Sequence, residues 1–74
     1  MMRRTIYVGL LDEGTDVWRP VEAEELDNGR FRIISENSSP DDERWEFPQG
    51  SVVRCERRHL SEGPVPVAVS QATG

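Results

Sequence analysis

Apolar and polar residues alternate along most of the chain, as in strands that have one buried face. In residues 5–11, the apolar side chains of Ile6, Val8 and Leu10 fall on the same face. The same period of two, rich in β-branched and aromatic residues, marks further strands. We predict five strands and almost no helix, with the strands over residues 5–11, 17–26, 30–35, 44–47 and 52–58.

Turns that contain glycine or proline separate these strands. Gly14 lies in the acidic segment 12–16, Asn28-Gly29 favours a tight hairpin turn, and Pro48 begins another turn. Short strands at a spacing of about ten residues are typical of a small closed barrel. Because closure also removes unpaired sheet edges, we predict an all-β fold, a small five-stranded antiparallel barrel.

Pro20 interrupts the second predicted strand and leaves alternatives open. Proline cannot donate to a ladder, so it indicates an edge position or a bulge. A bulge would shift the phase and place Trp18 on the face of Val21 and Ala23. A short helix over residues 21–26 is a rival interpretation, but so few residues do not form a stable isolated helix.

The inward positions define a predicted core, with one or both tryptophans partly covering an end of the barrel. This core consists of Ile6, Val8, Leu10, Val21, Ala23, Phe31, Ile33, Phe47, Val53 and Cys55. Residues 1–60 should form one domain. Residues 61–74 should form a flexible tail, because they hold one charge and two prolines and lack an aromatic anchor. An extra edge strand over residues 65–69 is the alternative, which Pro64 and Pro66 weaken.

Length and composition exclude several classes of protein. A chain of 74 residues with 35% hydrophobic residues supports one small core and no walled active site. No stretch is apolar enough to cross a membrane, and no secretory signal follows the basic start. A single cysteine excludes an internal disulfide, and one cysteine with one histidine excludes a zinc site made by one chain. We expect a cytoplasmic protein without a cofactor.

The net charge of −5 is unevenly distributed. Residues 12–46 carry twelve acids against four arginines, and this excess repels phosphate backbones. We therefore do not expect nucleic acid as the main partner. The alternative is a small-barrel nucleic-acid-binding protein that uses an anion-binding patch, which would form if the first and last predicted strands pair. Its residues would be Arg3, Arg4, Arg57 and Arg58.

The sequence gives little indication of a catalytic or metal-binding site, and we do not expect an enzyme. Cys55 and His59 lie four residues apart, about 13 Å along a strand and beyond hydrogen-bond reach. Cys55 is better explained as a core residue and His59 as an exposed one. The acidic segment 12–16 lacks the spacing of a calcium loop and its distal glutamate.

Three stretches together resemble a group of small bacterial proteins without an assigned activity. They are residues 10–23, with Val-Trp-Arg-Pro-Val, residues 29–33, Gly-Arg-Phe-Arg-Ile, and residues 45–56, which begin Trp-Glu-Phe-Pro-Gln-Gly. Phe31 replaces the tyrosine that is more usual in the group. The resemblance implies an SH3-like barrel and leaves the function open.

Large amphipathic side chains are the one feature that indicates a function. Tryptophan, tyrosine and arginine carry much of the binding energy of protein interfaces. We therefore expect a non-catalytic interaction module that binds a protein or peptide, or a second copy of itself. The alternative is that the tryptophans only cap the barrel. The candidate binding residues are Tyr7, Trp18, Arg19, Arg32, Arg44 and Trp45.

Overall fold

The computed structural model describes residues 2–14, 17–27 and 29–72, and every regular element in these residues is a strand. Their order along the chain follows the predicted order, and one further strand is added. The strands are β1 (Met2–Leu11), β2 (Trp18–Asp27), β3 (Arg30–Ile33), β4 (Arg44–Trp45), β5 (Val52–Leu60) and β6 (Gly63–Gln71). The prediction of a small all-β fold is confirmed.

Five strands form a ring in which each is paired with the next. The order around this ring is β1, β2, β3, β5 and β6. Its pairs are antiparallel except for β6 with β1, which meet in parallel at Tyr7 and Val67. Strand β4 lies outside the ring and pairs with the end of β1. The result is a six-stranded mixed sheet with a near-barrel ring, which corrects the expectation of five purely antiparallel strands.

Strand β6 replaces most of the expected flexible tail. It pairs with β5 from Val53–Gln71 to Leu60–Gly63. Proline has no N–H, so Pro64 and Pro66 fit only non-hydrogen-bonded positions of this antiparallel pair. At such positions the backbone nitrogen points away from β5 and toward β1. The two prolines therefore do not disturb the pairing of β6 with β5, but they offer no N–H group for a hydrogen bond to β1. Residues 73–74 lie outside the described residues.

Pro20 lies at an edge, as one of the two interpretations predicted. The register between β1 and β2 runs without a shift through the pair Tyr7–Pro20. Pairing of β2 with β3 begins only at Ala23, and its irregularity lies between Glu25 and Asp27. Because the phase is unchanged at Pro20, Trp18 lies on the face opposite Val21 and Ala23. The helical alternative is wrong.

The core matches most of the predicted set, and β6 adds two buried residues, of which Ala68 packs in the central cluster. Phe47 and Cys55 are partly buried against it, as is Trp45. Leu10 is only half-buried, because it lies near the end of β1. There β1 pairs with the short outer strand β4 and no longer with β2. Val67 and Ala68 are the residues that the tail prediction missed. The buried hydrophobic residues are Ile6, Val8, Val21, Ala23, Phe31, Ile33, Val53, Val67 and Ala68.

Candidate functional site

An open cleft lies between the outer face of β1 and β2 and the turn that joins β5 to β6. We call it the aromatic cleft. Its volume is about 410 Å³. Its lining residues are Tyr7, Val17, Trp18, Pro20, Leu60, Ser61 and Glu62.

Strand alternation places the aromatic residues on this outer face. Ile6 and Val8 are fully buried, so Tyr7 between them points outward. Tyr7 lies opposite Pro20 on β2. Trp18 shares the outward face with Pro20, because two residues along a strand return to the same side.

Trp18 is held against the backbone of β1 at Gly9. A Cβ atom on Gly9 would lie 3.4 Å from Cζ3 of Trp18 and 3.3 Å from Oε1 of Glu46. The N–H of Glu46 also donates to the carbonyl of Gly9 at 2.8 Å. The missing side chain of Gly9 thus gives room to an indole ring and, beside it, a carboxylate.

The turn between β5 and β6 forms the opposite wall of the aromatic cleft. Leu60 pairs with Gly63, which leaves Ser61 and Glu62 at the tip. Gly63 has a φ of 105°, a conformation that glycine adopts without strain. The hydroxyl of Ser61 donates to Oε2 of Glu62 at 3.1 Å.

A second, smaller cleft of about 220 Å³ lies at the edge of β2 beyond Pro20. Glu43 accepts a hydrogen bond from Nε of Arg19 at 3.0 Å, and Nη2 of Arg19 binds its other oxygen. Nε1 of Trp45 also donates to Glu43, at 3.1 Å. These two donors, Arg19 first, hold the pKa of Glu43 below its ordinary value, and Glu43 raises the pKa of Arg19.

The predicted binding residues fall into separate groups. Tyr7 and Trp18 meet in the aromatic cleft, whereas Arg19 and Trp45 meet around Glu43 in the second one. The remaining two arginines are bound elsewhere. Nη1 of Arg32 lies 3.3 Å from Glu24, and Nη1 of Arg44 lies 3.0 Å from Asp12.

Sequence reasoning missed half of the aromatic cleft. Leu60, Ser61 and Glu62 were expected at the end of the domain or in a tail, so they were not considered as a wall of a site. The available signal was the short segment Leu60-Ser61-Glu62-Gly63 between two alternating runs, which is typical of a hairpin turn.

The four arginines of the predicted anion patch do not meet through a pairing of β1 with β5. Strand β6 lies between them, so that part of the prediction is wrong. Three of the four are engaged with carboxylates: Arg3 with Glu22 at 3.1 Å, Arg4 with Glu25 at 3.0 Å, and Arg58 with Glu56 at 3.3 Å. Arg57 lies opposite Pro66.

Cys55 has the environment of a packing residue. It lies against the core, and burial raises the pKa of its thiol to about 11, which disfavours the reactive thiolate at neutral pH. Among the described residues, no three acidic, cysteine or histidine side chains cluster as metal ligands. The same part of the chain contains no helix that could span a membrane.

No protein family, no curated protein and no solved structure matches this chain. The resemblance carried by residues 10–23, 29–33 and 45–56 therefore identifies no family. The chain has a small all-β sheet fold with a near-barrel ring of five strands.

Proposed function

We propose that the chain is an SH3-like barrel of the cytoplasm that acts as a non-catalytic protein-interaction module. It binds a protein or peptide partner in the aromatic cleft. The observation that carries this proposal is the position of Tyr7 and Trp18 on the outer sheet face, opposite the turn at Ser61 and Glu62.

The residue types of the cleft support binding. Tyrosine and tryptophan bury a large area and lose few rotamers, so they are frequent hot spots of interfaces. One part of the Trp18 ring packs against Gly9, and the residue also lines the cleft. A side chain that is fixed before binding loses less entropy when a partner arrives.

The openness of the cleft also favours a macromolecular partner. It lies between a sheet face and a two-residue tip and is open to the surface. An exposed segment of another protein can therefore enter it from the surface.

The test uses a variant that fills the cleft without removing a packed side chain. Ser61 is exposed at the tip of the turn, so Ser61→Trp should block the cleft and leave the core unchanged. Ser38→Trp is the matched control, because Ser38 is exposed and lines the second cleft. Wild type, both variants and Trp18→Ala are used to capture partners from the native cytoplasm, and thermal melts check that each variant folds.

We expect a partner that wild type and Ser38→Trp retain and that Ser61→Trp and Trp18→Ala lose. Sedimentation of the purified chain reports whether that partner is a second copy. Retention by folded Ser61→Trp, or loss by Ser38→Trp alone, would exclude the aromatic cleft as the binding site.

A further inference from the structure

Two carboxylates near Trp18, those of Glu46 and Glu62, form no ion pair with another side chain of the described residues. Seven ion pairs connect side chains within residues 2–14, 17–27 and 29–72, and neither Glu46 nor Glu62 belongs to any of them. Glu62 lines the cleft, and Glu46 lies on the Gly9 side of the indole. Two carboxylates that take part in none of these ion pairs therefore lie near the aromatic residues.

Aromatic rings and carboxylates attract the same kind of group. The face of a tryptophan or tyrosine ring binds a cation through its quadrupole, and a carboxylate adds a charge-assisted hydrogen bond. No arginine of the described residues lines the cleft. The chain's own arginines do not fill this position, so the cation would have to come from another molecule.

We propose that the aromatic cleft binds an arginine side chain that the partner presents on an exposed segment. The guanidinium lies against Trp18 and Tyr7 and donates to Glu62. The apolar stem of the arginine lies along Pro20 and Leu60. This inference rests on the proposed function, because it specifies what the partner places in the same cleft.

Arginine fits these walls better than lysine. A guanidinium is planar, stacks on aromatic rings and is more weakly hydrated than an ammonium ion. Its long methylene stem can cover an apolar floor while the charged end meets a carboxylate. We therefore expect lysine to bind in the same place with lower affinity.

The experiment follows the indole N–H resonance of Trp18 by NMR during titration with N-acetyl-arginine amide. A Trp45→Phe variant assigns the two indole signals. N-acetyl-citrulline amide is the matched probe, since it has nearly the same shape without the charge. We expect a saturable shift with the arginine probe and a response at least about fivefold weaker with citrulline.

Two variants that each remove one negative charge test whether the guanidinium of the probe binds next to Glu62. Glu62→Gln should weaken the arginine probe by about fivefold. Asp41→Asn should leave the affinity nearly unchanged, because it removes the same charge from an exposed loop residue outside the cleft. Equal shifts with arginine and citrulline, or equal losses in both variants, would overturn the inference.

The captured partner separates this inference from the proposed function. If Ser61→Trp loses the partner while Glu62→Gln retains it at unchanged affinity, the cleft binds proteins and the arginine inference is wrong. If folded Ser61→Trp retains the partner, the proposed function itself is wrong.

Discussion

Trp18 packs directly against Gly9, with its Cζ3 atom 3.4 Å from the point where a Cβ of residue 9 would lie. The two residues face each other on paired strands. Across one antiparallel pair, a residue without a side chain thus makes room for one of the largest. The orientation of the indole in the aromatic cleft depends on this relationship.

We predict that Gly9→Val lowers the free energy of unfolding by about 1–3 kcal/mol, because its added atoms meet Trp18 on one side and Glu46 on the other. The tryptophan fluorescence of the chain should also shift as the indole of Trp18 moves outward. Urea unfolding measures the stability. The control is Gly14→Val, where a Cβ has no neighbour within 4 Å, and it should change stability by less than about 0.5 kcal/mol. Equal effects at both positions would contradict the packing.

The contact of Glu43 with Arg19 predicts an acid-sensitive part of the stability. Arg19 lowers the pKa of Glu43 in the folded chain, so folding favours the ionised carboxylate. This contribution is present above the pKa of the unfolded chain and is lost as pH falls through the lower, folded pKa.

Urea unfolding from about pH 6 to pH 3 should therefore show a steeper loss of stability in wild type than in Glu43→Gln. Asp27 has a lowered pKa for a similar reason, its hydrogen bond from Arg30, and it remains in both proteins. Identical pH profiles would show that the Glu43 contact contributes nothing in solution.

The local pattern predicted the core strands well because their alternation depends on nearby residues. Ile6 and Val8, or Phe31 and Ile33, must share a face whatever the rest of the chain does, and all four are buried. Pro20 was restricted in the same way by its missing N–H. These features follow from the geometry of a single strand.

Long-range pairing was less accessible to sequence reasoning. Pro64 and Pro66 favoured a tail, because proline lacks the backbone N–H group that strands use for pairing. The sequence does not show at which positions of a strand that N–H group is needed. Once β5 pairs with β6, both prolines have acceptable positions. The same error hid Glu62, which lines the cleft only because the hairpin tip lies across it from Tyr7 and Trp18.

Cys55 should react slowly with thiol reagents. Burial raises its thiol pKa to about 11, which lowers the fraction of reactive thiolate at neutral pH. Iodoacetamide labelling of the native chain should therefore be clearly slower than labelling in urea. The rate should still be rising above pH 9. Equal native and denatured rates would contradict the burial of Cys55.

The last prediction concerns β6, whose residues Val67 and Ala68 are almost fully buried. Val67→Ala removes two methyl groups between β5 and β1, so it should cost about 1–3 kcal/mol of unfolding free energy. Ser70→Ala, at an exposed position of the same strand, should cost less than about 0.5 kcal/mol.

Hydrogen exchange adds an independent readout, since amides of β6 that donate to β5 should be protected nearly as well as those of β1 and β2. A tail that only touches the ring would give fast exchange throughout residues 63–71 and no difference between the two variants. In that case the aromatic cleft would also lose its second wall, because the turn at Ser61 and Glu62 is held in place by the pairing of β6 with β5.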